Sequence, residues 1–267
     1  LLHAENESIL GSTLTLSEIH SDSETARRFP GLVQAAKSVA TNQIRNMGTL
    51  GGNLCQRPWC WYFRHPAFNC FKKGGKQCYA ITGDNSTYFS VYNLGTCVMA
   101  HPSDTAPALI SLGARAKIAS KDGIEEVEMA DFFLGPKNVQ DNILSPEEIL
   151  VSVTIPKSSA NQRSIYLKHR TRNNWDFALA SAAVRGEIDA DGRVASLCIV
   201  LGGVAPLPIT LTSVQNMILG TKYSQNVKMD ALKIVAKQAK PLRMNRYKVR
   251  IVCALVGRAL DALLISK

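Results

Sequence analysis

Ile44-Arg45-Asn46-Met47-Gly48-Thr49-Leu50-Gly51-Gly52-Asn53-Leu54 sets two adjacent glycines between two ordered elements, and the rest of the chain can be placed outward from it. Glycine carries no Cβ, so backbone N–H groups here come close to a ligand, as pyrophosphate or flavin binding requires. On its own a Gly-Gly pair is more often only a turn. The segment that follows narrows the choice. Five of the seven cysteines fall between Cys55 and Cys97, interrupting the step from this turn to a second loop, His101-Pro102-Ser103-Asp104.

The candidate metal ligands are Cys60, Cys70, Cys78 and Cys97, with nine, seven and eighteen residues between successive members. A thiolate is a soft donor that holds iron-sulfur clusters or zinc. None of the four forms a C-x-x-C pair and no histidine stands at finger spacing, which argues against structural zinc. Trp59, Trp61, Tyr62, Phe63, Phe68 and Phe71 give this segment an aromatic density above the chain's 7%, enough to shield a cluster from water. Arg57, Arg64, Lys72, Lys73 and Lys76 are interleaved with them and offset the negative charge of a tetrathiolate cluster.

Competing accounts exist for the same residues. Free thiols can pack as small hydrophobes, disulfides can staple a secreted chain, and zinc can stabilise an interaction module. A chain of 267 residues with 46% hydrophobic content builds a core without staples, and seven cysteines is an odd number. Basic residues interleaved with aromatics also resemble a nucleic-acid surface, but that leaves the cysteines unexplained, so no nucleic-acid partner is expected.

With 19% charged residues the composition is that of an ordinary globular protein with room for two domains. Charge breaks every apolar stretch well short of a membrane span, so no membrane role is expected. The net charge of +10 suits an acidic partner subunit or an anionic ligand. Leu1-Leu2-His3-Ala4-Glu5 has no basic n-region or apolar h-region, and the expected location is cytoplasmic, or periplasmic by co-export with a partner.

Along the chain, residues 8–16 predict a strand turning into a helix capped by Ser17, with Glu18 in its first turn. Residues 31–40 have helical apolar spacing, and 97–100 predict a buried strand. A short helix over 105–112 ends at Gly113, with Ser103 or Asp104 suited to its N-cap. Residues 114–118 and 124–129 alternate as a hairpin turned at Lys121-Asp122-Gly123, and 149–156 predict a strand. The polar stretch 157–161 marks the best boundary, dividing residues 1–157 from 162–267. Beyond it, 164–169 and 194–202 predict strands, 177–185 a helix or a buried strand, and 229–237 and 247–266 helices. Strands followed by helices make the fold α+β.

Three motifs, in order, carry a resemblance over nearly the whole chain: residues 44–54 above, His101-Pro102-Ser103-Asp104-Thr105-Ala106-Pro107-Ala108-Leu109, and Leu201-Gly202-Gly203-Val204-Ala205-Pro206. Together they resemble the FAD-binding (medium) subunit of molybdenum hydroxylases, the xanthine dehydrogenase family. Cysteines inserted after Gly-Gly-Asn-Leu, over 54–97, are similar to the branch whose flavin subunit carries an extra four-iron four-sulfur cluster, known from 4-hydroxybenzoyl-CoA reductase and bacterial aldehyde oxidoreductases.

The resemblance implies a PCMH-like FAD-binding domain followed by a smaller α+β domain. It implies FAD contacts at Thr49, Gly51, Gly52 and Asn53 near the isoalloxazine and pyrophosphate, at Ser103 and Asp104 near ribityl or ribose hydroxyls, and at Leu150 and Lys168 beside the flavin ring. It favours Cys60, Cys70, Cys78 and Cys97 as cluster ligands, with Cys55 spare and Cys198 and Cys253 as core thiols. It implies an electron-transfer subunit of an oxidoreductase complex, beside a large molybdopterin subunit and a small two-iron-cluster subunit, with ferredoxin as a candidate external carrier. The family's usual opening strand and Ala-Gly-Gly-Thr-Asn-like loop have no counterpart before Leu1. A fragment, a lobe on another chain, or a cluster-bearing scaffold without functional FAD are the three expectations that follow.

Overall fold

The computed structural model describes residues 1–92, 95–172 and 175–265. Its strands are β1 (Leu2–His3), β2 (Glu7–Gly11), β3 (Arg115–Ser120), β4 (Gly123–Glu128), β5 (Ile149–Pro156), β6 (Arg163–His169), β7 (Ala180–Ile188), β8 (Val194–Gly202) and β9 (Ile209–Thr210). Its helices are α1 (Leu16–Ser21), α2 (Ser23–Arg28), α3 (Pro30–Ser38), α4 (Asn42–Met47), α5 (Leu50–Leu54), α6 (Trp61–Arg64), α7 (Thr105–Ser111), α8 (Thr212–Ile218), α9 (Gln225–Gln238) and α10 (Tyr247–Leu264).

Two antiparallel sheets divide the chain, the first ordered β1-β2-β5-β3-β4 and the second β6-β7-β8-β9, so the α+β expectation holds. Alternation in β2 buries Ser8 and Leu10 and turns their neighbours outward, which puts Leu10, Val153 and Ile155 into a core with Phe29, Leu32, Leu109 and Phe132. The second sheet buries Ala182, Val184, Ile199 and Leu201 against the apolar stripe of α10, through Val252, Val256, Leu260 and Leu263. The halves meet at α3 and β6, where the Gly31 N–H donates to Ser164 Oγ at 3.1 Å and the Tyr166 N–H to Gln34 Oε1 at 2.8 Å.

Several expected elements differ in detail. Helix α1 is capped by Thr15, not Ser17: Thr15 Oγ1 accepts from the Glu18 N–H while Glu18 Oε2 accepts from the Thr15 N–H, a reciprocal capping box. The glycine turn is a one-turn helix, α5, because Thr49 Oγ1 accepts from the Gly52 N–H and caps it. Residues 97–100 are buried but form only an isolated bridge between Phe89 and Met99. The ambiguous run over 177–185 resolves as β7, whose β-branched and small residues pair on both sides with β6 and β8. Helix α2 and helix α8 lie in segments too short and polar for periodicity to mark them. Ser266, the expected end of the last helix, lies outside the described residues.

Candidate functional site

Two cavities adjoin at the cysteine segment. The larger, about 500 Å³, is a cleft between the halves, lined by Gly48, Thr49, Gly52, Asn53 and Asp104 on one side and by Trp59, Tyr88, Trp175, Asp176 and Phe177 on the other. Its volume falls in the range of small-molecule sites, and its aromatic faces suit a planar ring. Trp59 and Phe177 meet at a tilt, 5.6 Å between centroids, and Tyr88 meets Phe177 edge-on at 5.9 Å while its hydroxyl donates to Asp176 Oδ1. Burial, and then that carboxylate, push the Tyr88 hydroxyl well above its ordinary pKa. The Arg64 guanidinium lies 4.3 Å over Trp59 from outside the cleft.

Behind this wall the two loops that flank the cysteines are tied together. Asn53 Oδ1 accepts from Ser103 Oγ and Thr105 Oγ1, both at 2.7 Å, which leaves the amide nitrogen as the end available to the cleft. Asp104 sits at the N-terminus of α7, and both its oxygens are engaged from the second sheet, Oδ1 by the Tyr166 hydroxyl and Oδ2 by Lys168 Nζ, each at 2.6 Å. Tyr166 is fully buried beside that carboxylate, so its hydroxyl stays protonated far above the ordinary tyrosine range. His101 is also buried, its ring edge-on to Phe133 at 4.7 Å; burial, and then the charge of Lys72, hold its pKa down at about 3.

The smaller cavity is lined by Cys60, Cys70, Cys78 and Cys97 together, with Pro58, Tyr62, Phe63, Phe71, Tyr79, Met99 and Lys72 around them. Backbone N–H groups turn toward the sulfurs: those of Tyr62 and Phe63 toward Cys60, those of Ala80, Ile81 and Val98 toward Cys78, and that of Met99 toward Cys97. Burial pushes the Cys60 thiol up to about 11. A hydrogen bond between Cys97 and Cys78 lowers the pKa of Cys78 and raises that of Cys97. Among the described residues no group of three or more His, Cys, Asp or Glu stands close enough to hold a single metal ion. The cavity that the four cysteines line holds only about 10 Å³, room for roughly one water, so a larger inorganic group would require its lining to open.

Aromatic rings connect the two cavities. Tyr62 at the thiols packs on Phe89 at 6.2 Å, Phe89 on Trp61 at 5.3 Å, and Trp61 on Tyr88 at 6.3 Å, which is the wall of the cleft.

Of the residues singled out from sequence, Thr49, Gly52, Asn53 and Asp104 line the cleft, and Lys168 reaches it through Asp104. Gly51 does not line it. Its N–H donates to the Ser12 carbonyl at 2.8 Å and a Cβ there would stand 3.0 Å from Ser12 Cβ, so this glycine serves a close backbone crossing. Ser103 faces Asn53 rather than the cleft, and Leu150 is buried in the first core opposite Ile118. Trp59, expected near the thiols, lines the cleft instead. Cys55 packs against the first core, away from the four cysteines. Sequence spacing missed Thr105, Tyr166, Trp175 and Phe177, whose partners are set by tertiary packing. The paired strands β6 and β7, which present Tyr166 and lead from Phe177, were the one available signal.

The aromatic-walled cleft between the antiparallel first domain and the helix-covered second sheet suits a planar ring, and a thiol-lined cavity lies beside it. Residues 2–158 match the FAD binding domain in molybdopterin dehydrogenase, and residues 165–263 match the CO dehydrogenase flavoprotein C-terminal domain. The chain belongs to this family of FAD-binding subunits of molybdenum hydroxylases. It is 32% identical over 203 residues to the aldehyde oxidoreductase FAD-binding subunit PaoB of Escherichia coli K12, covering 74% of this chain and 62% of that protein. It is 24% identical over 264 residues to the xanthine dehydrogenase FAD-binding subunit of Escherichia coli O157:H7, covering 97% of this chain and 75% of the relative. Among solved structures, a carbon monoxide dehydrogenase from Hydrogenophaga pseudoflava lacking the Mo-pyranopterin moiety of its cofactor shares the fold, with a TM-score of 0.74 at 21% identity over 98% of this chain and 76% of that one.

Proposed function

We propose that this chain is the electron-transferring FAD subunit of a molybdenum hydroxylase complex and carries a four-iron four-sulfur cluster at Cys60, Cys70, Cys78 and Cys97. The observation that carries this reading is the shared aromatic wall. The cleft and the cavity lined by four cysteines are linked by the ring contacts of Tyr62, Phe89, Trp61 and Tyr88. The donor set suits a cluster, being all cysteine sulfur, wrapped by aromatic side chains and met by backbone N–H groups that favour negative sulfur.

Thr49, Gly52 and the Asn53 amide would meet the polar part of FAD, while Trp59, Tyr88 and Phe177 bury its ring and exclude water. Bound flavin would supply hydride and single-electron chemistry. Asp104 keeps lone pairs for a hydroxyl although Tyr166 and Lys168 already hold it, and its rigidity fixes where that hydroxyl sits. A large molybdopterin subunit and a small two-iron-cluster subunit are the partners proposed, with an acidic carrier such as ferredoxin on the outside.

A second reading, a cluster-bearing relay without flavin, is favoured by one observation: the Gly51 and Gly52 N–H groups both bond within the chain, to Ser12 and Thr49. Iron, acid-labile sulfide and FAD per chain, measured in anaerobically purified complex, separate the two. About four iron with one FAD supports the first, iron without FAD the second, and no iron removes the cluster from both.

A further inference from the structure

Lys72 is the one charged side chain that lines the cysteine cavity among the described residues, and it is only 4% exposed. Its Nζ stands 2.6 Å from Asp141 Oδ1 and donates to the Gln140 carbonyl at 2.9 Å. Arg57 Nε stands 2.6 Å from the other oxygen of the same carboxylate. Both contacts are ion pairs whose angles fall short of hydrogen-bond geometry. Lys72 and Asp141 are both buried, whereas the Arg57 side chain is 48% exposed and screened by solvent, so Lys72 is the buried cation of the three.

This charge is assembled across the fold. No Asp or Glu occurs from residue 54 to residue 83, so the cysteine segment supplies cations only. Asp141 comes from the loop between β4 and β5, where the Leu134 N–H donates to its carbonyl, and the Cys97 N–H donates to Pro136 in the same loop. The Arg57 guanidinium also lies 4.9 Å over Phe63, another residue of the cavity. Taking an ammonium out of water is costly even when it is paired, and an apolar side chain of the same length would pack as well. Stability alone is therefore a poor reason for a lysine here. Its field reaches both sides of the insertion, acting on the Cys97 thiol and on His101.

We infer that Lys72, held in place by Asp141, is a positioning residue that provides the fixed positive charge setting the reduction potential of a cluster bound at the four cysteines. The inference rests on the cluster reading above. One-electron reduction by an external donor brings one negative charge to the site, with no bond made or broken in the chain, and Lys72 stabilises that charge. Net charge near the sulfurs is one of the levers that set such potentials. Lys72 thereby holds the potential higher than the aromatic wall and thiolates alone would.

The test is a potentiometric titration of the purified complex with dithionite and mediators, following the four-iron EPR signal, which relaxes faster than signals of two-iron clusters. Lys72→Met should keep its iron and titrate at a more negative midpoint than wild type, while Lys72→Arg should stay near wild type. Should Lys72→Met lose iron, Asp141→Asn gives the reverse sign, since removing the carboxylate leaves both cations and raises the midpoint. An unmoved midpoint in an iron-replete variant, equal shifts in Lys72→Met and Lys72→Arg, or iron loss from both Lys72→Met and Asp141→Asn would overturn the inference while leaving the cluster in place. A wild-type complex without iron at these cysteines would overturn the cluster reading, and this inference with it.

Discussion

Lys168 Nζ stands 2.6 Å from Asp104 Oδ2, with both side chains about 5% exposed or less, and so joins strand β6 of the second sheet to the loop that closes the cysteine segment. Breaking a buried pair from one side leaves an uncompensated charge, which costs about 3–5 kcal/mol. Lys168→Met should therefore destabilise the chain by that order, and Tyr166→Phe, which removes only a hydroxyl from the same carboxylate, by about 1–2 kcal/mol. Urea denaturation of both variants checks this. A loss below about 1 kcal/mol for Lys168→Met would mean that the pair is solvated and does not hold the halves together.

The four-thiol cavity makes a sharp distinction among cysteines. Cys70 lines it, whereas Cys55 packs against the first core. Cys70→Ser should drop iron from about four per chain to near zero, while Cys55→Ser keeps it. Equal iron in wild type and Cys70→Ser, measured on purified complex, would sink the ligand assignment.

Trp59 and Trp175 line the cleft, and Trp61 packs on Tyr88, which lines it too, so all three tryptophans of the chain lie at or next to the cleft. FAD bound there should quench most of the tryptophan fluorescence, and Trp175→Phe, at a residue 73% exposed, should lower the starting signal without abolishing the titration. Saturating FAD that leaves the emission unchanged would place the flavin elsewhere or nowhere on this chain.

The features legible in sequence are those that local chemistry decides. Thr49 to Asn53, the loop at His101 to Asp104 and the four cysteines could be found because each is a short run of unusual residues. The cysteines, although spread from Cys60 to Cys97, line one cavity. The hairpin of β3 and β4 followed from alternation about Gly123. What escaped was set at long range. Tyr166 reaches Asp104 across 62 residues and Asp141 reaches back to Lys72 and Arg57 from outside the insertion, and neither has a periodic signature. The run over 177–185 stayed ambiguous because a short apolar stretch buried on both faces has no period to read. Leu150, named from the resemblance alone, lies in the first core opposite Ile118, a placement that the pairing of β5 with β3 decides.

His101 supplies a pH dependence of definite sign. Burial first, and then the charge of Lys72, lower its folded pKa to about 3, while the unfolded chain titrates near the ordinary value of 6.5. Above 6.5 both states hold the imidazole neutral and the stability is fully present. Between 6.5 and 3 the unfolded state takes up a proton that the folded state refuses, so stability falls as the pH falls. Integrated from pH 7 to pH 5, this one group removes about 2 kcal/mol. His101→Gln has no such titration and should show a correspondingly shallower loss over the same interval, whatever the buried carboxylates contribute to both proteins. Urea midpoints of wild type and variant at pH 7 and pH 5 give the comparison. Parallel losses in the two proteins would show that His101 is protonated in the folded state and that its site is wetter than the packing against Phe133 implies.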